Sequence, residues 1–267
     1  MDIIKTFDEL NLIDWPLAIF GNDLDSVSKE GRTYHITSRD KISHRQISGF
    51  LRIYFISDES TNSLMPYDED VLLALMSLAG EKLFGQKVMV LNNKNELLDR
   101  LGWSRIGRNY QKLQGSFRRL VGLTIETNLF YNKRYLKFED RLFHIIDRIT
   151  LFKDSYKMEI EWSDTIWDSI SFNNFRPLNY SLYLKIKEPG AKKLFRVLDK
   201  RFYKRKQVEI PVEYLCINIL GMHHSKSVNQ MTRLLMKYSE ALVDISYLGA
   251  FTIRKHDKKN IAVFAMS

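Results

Sequence analysis

A chain of 267 residues, 45% hydrophobic and 27% charged, is long enough to bury a full core and has the balance of a soluble globular protein. Its net charge is +9, and no apolar run approaches the roughly 18 residues a membrane span requires, so a polyanion is a better-matched partner than a bilayer. The opening stretch MDIIKTFDELNLIDWPLAIF lacks the basic start and apolar core of a signal peptide, and the single cysteine, Cys216, can form no internal disulfide; the expected compartment is the cytoplasm.

Charge is segregated along the chain. Residues 1–93 carry 9 Lys/Arg against 14 Asp/Glu, and residues 94–160 carry 14 against 8. Residues 161–179 have 1 against 3, and residues 180–267 have 17 against 7. Two basic blocks flanking an acidic seam predict two contact surfaces for a polyanion.

Residues 1–40 give no clear pattern, and residues 46–56 alternate as a strand does. Residues 67–84 place acids in the first turn and apolar residues on a helical period, which predicts a helix. A short strand at 87–91 and a short helix at 94–101, ended by Gly102, follow. The turn 103–107 leads into a helix at 108–121, where Tyr110, Leu113, Phe117 and Leu120 form one apolar stripe and Gly122 is the expected C-cap. Residues 123–130 and 135–144 are rich in Thr, Ile, Tyr and Phe and flank Asn132, Lys133 and Arg134, predicting a hairpin with a basic tip. A strand at 156–162 extends that sheet in this reading.

Ser163 caps a predicted helix at 164–171, and residues 172–178 are the candidate linker. The same order then recurs. Helices are expected at 179–187 and 190–205, the latter with Pro189 at its start, then a strand at 207–210 and a helix at 211–220 ended by Gly221. The cleanest helical signal is at 227–247, where Val228, Met231, Leu235, Tyr238, Leu242 and Ile245 step by three and four. Strands at 250–254 and 260–264 alternate around a second basic tip. Helix, strand, helix, long basic helix, hairpin is the order of a winged helix, so the expected fold is α+β with two consecutive winged-helix domains, at 61–172 and 178–267, after an N-terminal extension, 1–60.

DNA affinity comes mainly from cations against phosphates, and specificity from polar side chains on a helix in the major groove. The candidates are therefore the residues opposite each apolar stripe. They are Arg105, Arg108, Asn109, Lys112 and Arg119 in the first unit, and Lys226, Asn229, Gln230, Arg233 and Lys237 in the second. Arg108, Lys112, Asn229 and Arg233 fall where recognition helices touch base edges. Lys133, Arg134, Lys255, Lys258 and Lys259, at the hairpin tips, suit phosphate or minor-groove contact. In the basic run 196–206 the apolar residues are expected to pack inward, and the cations are left unassigned.

The spacings of enzymes are missing. There is no HxH, HExxH, CxxC or phosphate-binding GxxxxGK[ST], and His223–His224, the one close pair, are neighbours that do not share a helix face. No cofactor or metal is expected, and the chain is read as a binder; a nicking or recombining enzyme with a tyrosine nucleophile is the contrary reading, since 13 tyrosines are present.

Across about residues 65–250 the sequence resembles the replication initiator protein A family of plasmids. The resemblance rests on Ile160-Glu161-Trp162-Ser163, on Tyr180 to Leu184, and on the run Ala191-Lys192-Lys193-Leu194-Phe195-Arg196-Val197-Leu198-Asp199-Lys200-Arg201-Phe202-Tyr203. It continues through the apolar helix at 212–220 and the long helix ending near Tyr247-Leu248-Gly249. It implies an initiator that binds repeated double-stranded sites at an origin and helps open it for the host's replicative helicase, as a monomer when active and a homodimer when repressing its own gene. It transfers no catalytic residue. A winged-helix transcription regulator is the alternative function.

Overall fold

The computed structural model describes residues 5–18, 31–39, 45–55, 63–82, 86–152, 155–257 and 259–267. It opens with β1 (Lys5–Glu9) and the short helix α1 (Leu10–Ile13), whose N-terminus is capped by the Glu9 carboxylate accepting from Leu12 N. Strands β2 (Arg32–Arg39) and β3 (Gln46–Phe55) follow as an antiparallel pair. Helix α2 (Pro66–Lys82) starts at a proline, where a missing N–H costs nothing, and carries Asp68 and Glu69 in its first turn. Then come β4 (Val88–Leu91), α3 (Asn95–Leu101) and α4 (Gly107–Gly122). Gly102 ends α3 in the left-handed region, φ 66°, as expected of a C-cap glycine. Gly122 behaves otherwise: it is the last helical residue, and the extended Leu123 (φ −73°, ψ 120°) carries the chain straight into a strand.

Strands β5 (Leu123–Asn132) and β6 (Lys137–His144) form the hairpin that the sequence predicts, but they pair into a sheet of order β2-β3-β5-β6. The wing is made by the next hairpin, β7 (Ile146–Leu151) and β8 (Met158–Trp162), which returns to β4 in the order β4-β8-β7. Val88 faces Glu161 and Leu91 faces Met158, so Met89 and Leu91 are buried with Met158, Ile160 and Trp162. The strand expected to extend the 123–144 hairpin therefore belongs to a separate sheet. Local alternation marks both hairpins equally, and only the long-range pairing to β4 distinguishes them.

The seam contains α5 (Asp164–Ser171), capped by Ser163, then β9 (Phe175–Asn179) and α6 (Tyr180–Lys185). Residues 172–178 are thus mostly strand rather than linker, with β9 hydrogen-bonded to β1 from Lys5↔Asn179 to Glu9↔Phe175. The second unit repeats the first: α7 (Pro189–Arg201), β10 (Gln207–Pro211), a π-helix (Tyr214–Ile219), α8 (Val228–Asp244), β11 (Leu248–His256) and β12 (Lys259–Met266). Its sheet order, β10-β12-β11, matches β4-β8-β7 strand for strand. Two winged-helix units are therefore present, the first interrupted by an inserted hairpin.

Ser227 and Gln230 close a capping box at the start of α8, with Ser227 N donating to Gln230 Oε1 at 2.9 Å. The inner face of α8, formed by Met231, Leu235, Tyr238 and Leu242, packs on α7. At that crossing Gly190 sits so close to Tyr238 that an added Cβ would overlap the ring. Gly190→Ala is expected to cost about 1–3 kcal/mol through overpacking, seen as a lower denaturant midpoint at unchanged slope. An unchanged midpoint would refute the close approach.

Candidate nucleic-acid interface

By position in the repeat, α4 and α8 are the equivalent third helices of the two units, and each turns one face to solvent. On α4 the exposed side chains are Arg108, Gln111, Gln114 and Arg118, opposite the buried Leu113, Phe117 and Leu120. Arg108 and Arg118 have no ion pair among the described residues. Arg105 lies in the preceding turn, paired in two-point fashion with Asp99 of α3 (Nε–Oδ1 3.1 Å, Nη2–Oδ2 2.6 Å). That pair is open to water, where such bridges contribute little, so the guanidinium can exchange partners. Asn109 turns back: its amide donates to Ser104 O at 2.8 Å and to Ser104 Oγ at 3.1 Å, pinning the turn that opens α4.

Two sequence candidates are turned away from this face. Lys112 lies between the rings of Tyr67 and Trp103, 4.1 and 4.0 Å from their centroids, and burial lowers its pKa. Arg119 is bound to α2, with Nε–Oδ2 2.7 Å and Nη2–Oδ1 2.9 Å to the fully buried Asp68. An arginine that satisfies a buried carboxylate holds α4 to α2 and does not face DNA in this geometry. Amphipathic spacing could not separate these two cations from the solvent-facing ones, because Tyr67 and Asp68 lie on α2, far back along the chain.

Lys133 and Arg134 likewise stand off the wing. They tip the inserted hairpin, where Lys133 Nζ donates to Asn173 O at 2.7 Å and Arg134 lies 5.2 Å from the rings of both Tyr135 and Phe172. The first wing instead presents Arg148 on β7, bridged to Glu161 at 3.0 Å, and the exposed Phe152, Tyr156 and Lys157. Lys94 N donates to Tyr156 O at 3.0 Å, tying the wing tip to the start of α3. Between α4 and this wing lies a cleft of about 420 Å³, walled by Tyr110, Phe117 and Phe152 with Lys94 and Lys157 at its rim. Arg118, Arg148 and Lys157 escape the sequence reading, which assigns the wing to the earlier hairpin. No local signal separates the two hairpins; the pairing of β8 with β4 does.

The second unit conforms more closely to the sequence reading. Asn229, Gln230, Arg233 and Lys237 are exposed on α8, Lys226 is half-buried just before it, and Arg233 has no ion pair among the described residues. Gln230 serves the cap, and Lys237 is bridged to Glu188 at 2.9 Å. Lys255 and Lys259 are exposed at the β11–β12 tip; Lys258 lies outside the described residues. Arg254, beside them, is bridged to Glu209 at 2.6 Å.

The unassigned basic run divides sharply. Arg196 is buried, Lys200 and Arg201 are half-buried against Asp14, and Lys204, Arg205 and Lys206 are exposed. Burial by itself would lower the pKa of Arg196; Asp8 and Glu69 outweigh it and raise it. Lys193, also fully buried, shares Glu69 with the closer Arg196, and burial takes its pKa down to about 8. Among the described residues no three His, Cys, Asp or Glu side chains converge as a metal would need, and no helix is long and apolar enough to cross a membrane.

Two winged-helix units, each with a solvent-facing polar third helix and a wing, define a tandem winged-helix protein. The replication initiator protein A family model matches residues 62–242, from just before α2 to the last turn of α8. The chain belongs to that family. It is similar in fold to domains 2 and 3 of RctB, with a TM-score of 0.58 at 12% identity over 94% of this chain and 95% of that one. It is also similar to the Pi initiator protein, solved in complex with iteron DNA, with a TM-score of 0.58 at 15% identity over 76% and 92% of the two chains. No curated protein sequence matches it.

Proposed function

We propose that the protein is a replication initiator that binds repeated double-stranded sites at a plasmid-type origin. In this reading α4 and α8 enter major grooves, and the β7–β8 and β11–β12 wings lie along the flanking backbone. The carrying observation is that Arg108 and Arg233 stand exposed, without ion pairs among the described residues, in the first halves of two equivalent helices. Arginine in that position pairs guanine O6 and N7 in two-point fashion. Family membership and the Pi initiator–iteron complex support the same reading. The proposal takes 61–172 and 178–267 as the two reading units. It also takes the host helicase as a partner, a homodimer as the repressing form, the cytoplasm as the compartment, and the action on DNA as binding without bond breakage.

The test is footprinting on the DNA flanking the gene. Protected tandem repeats are expected, whereas a single operator would make the protein a regulator and refute the origin assignment. Phosphate-dominated binding predicts steep salt dependence, a drop of about 10³–10⁵ in affinity between 50 and 200 mM salt for six to ten phosphate contacts. A flat titration would refute it. Supercoiled repeat-bearing plasmid is expected to stay unnicked with magnesium, and a covalent protein–DNA adduct would overturn the non-catalytic reading.

A further inference from the structure

The stretch Asp8-Glu9-Leu10-Asn11-Leu12-Ile13-Asp14 runs from β1 through α1 and buries its polar groups. Asp8, Glu9 and Asn11 are buried, and Asp14 is half-buried. Together with Thr6 they are bonded to four parts of the molecule: α7, α2, the seam and the inserted hairpin. Asp8 accepts from Arg196 of α7 through both oxygens, Nε–Oδ2 and Nη2–Oδ1 both 2.7 Å, and the same guanidinium reaches Glu69 of α2. Glu9 accepts from Ser169 Oγ of α5 at 2.6 Å and from Asn174 Nδ2 at 2.9 Å, both in the seam. Asn11 exchanges two bonds with the backbone of Tyr131 in the inserted hairpin, accepting from its N at 3.0 Å and donating to its O at 3.2 Å. Asp14 is bridged to Lys200 of α7 at 2.7 Å, and the buried Lys193 donates to Trp15 O at 2.8 Å. Thr6 Oγ1 donates to Leu73 O of α2 at 2.9 Å, and β1 pairs with β9 along its whole length.

The segment therefore touches the first helix of each unit, the inserted hairpin and the seam between them. A solubilising extension would present these acids to water; here each satisfies a group on an element the segment itself brings together. A buried ionic network need not add net stability, since apolar replacements of similar shape can be as stable, but a fully satisfied one rigidifies the elements it joins. The network adds to the direct bonds of Glu69 and Asp70 of α2 with Arg196 and Lys192 of α7, and so bears on the placement of one unit against the other and on the separation and phase of α4 and α8.

We propose that residues 5–14 are a clamp that sets the spacing between the two recognition helices, making Asp8, Asn11 and Asp14 positioning residues for DNA reading. The inference rests on the two-helix DNA reading above. B-DNA repeats about every 10.5 base pairs, so two rigidly held helices accept one spacing of half-sites, and loosely joined ones accept several.

The experiment compares wild type with Asp14→Asn, whose partners are partly solvated, and with the Asp8→Asn/Asn11→Ala double variant. Spin labels at Gln111→Cys on α4 and Glu240→Cys on α8 report the inter-helix distance distribution without DNA, the buried Cys216 being left in place. In parallel, each unlabelled protein is titrated against the footprinted repeat and against versions with five base pairs inserted between the half-sites. Wild type is expected to give a narrow distance distribution and to bind at least about tenfold more weakly on insertion. The variants are expected to give broad distributions and to weaken less than about threefold, while binding the isolated α8 half-site as wild type does. Narrow distributions in the variants would overturn the clamp whatever happens on DNA. Broad distributions with undiminished spacing discrimination would overturn the positioning role, as would a lower melting temperature with both readouts unchanged. Wild type failing to bind the repeat at all would refute the DNA reading instead, and the distances would still decide the clamp.

Discussion

Replacing Arg196 by methionine is expected to destabilise the protein by about 3–5 kcal/mol, a large part of the roughly 5–15 kcal/mol that separates a folded domain from its unfolded chain. The side chain is buried and holds two carboxylates, Asp8 of β1 and Glu69 of α2. Methionine fills similar volume, so cavity formation contributes little. The destabilisation comes from Asp8, left buried without its cation, and from Glu69, left with Lys193 as its one buried cation. The double variant Asp8→Asn/Arg196→Met neutralises the stranded Asp8 while leaving Glu69 paired with the buried Lys193, and is expected to recover much of that stability, because a buried ion pair is often no more stable than neutral groups of its size. Urea unfolding of both proteins checks the pair. A single variant as stable as wild type, or a double variant no better than the single, would contradict the charge-stranding account.

On DNA the largest effects are expected at Arg233 and Arg108. Changing either to alanine is predicted to weaken binding to the cognate repeat by about 1–3 kcal/mol, or about 5- to 150-fold, with little change on unrelated duplex. The contrast between cognate and unrelated DNA carries the information. Removing a recognition-helix side chain that touches a base edge erodes specificity, whereas removing one that touches phosphate weakens all duplexes alike and lowers the salt slope. Gel-shift titrations in which both variants bind the repeat as wild type does would remove α4 and α8 from the interface. Uniform weakening on both duplexes would reassign the two arginines to the backbone.

Much of the architecture was legible in the sequence, and the reason differs by element. Helices α4 and α8 announced themselves because an amphipathic stripe is a local property, repeated every three or four residues. The exposed positions of Arg108, Asn229 and Arg233 follow from the same periodicity. The acids at the start of α2 were legible only as a helix N-terminus. In the structure Asp68 holds Arg119 within its own unit, Glu69 holds Lys193 and Arg196 of the other, and Asp70 binds Tyr183 at 2.5 Å and Lys192 at 2.9 Å. None of these partners is within a helical turn, so no spacing rule finds them. Residues 5–14 were opaque for the same reason: their polar groups make sense only beside the elements they join.

The amino-acid sequence alone determined the two-copy order of elements, the amphipathic pattern of both third helices and the kinship with the replication initiator protein A family, since periodicity and short motifs are carried by neighbouring residues. Only the tertiary structure decided which hairpin is the first wing and which cations face outward. Strand β8 finds β4 across some 70 residues, Arg119 finds Asp68 across 51, and Arg196 finds Asp8 across 188. Whether a cation is free for phosphate or committed to a buried carboxylate depends on desolvation by those distant partners, a quantity that local pattern does not contain.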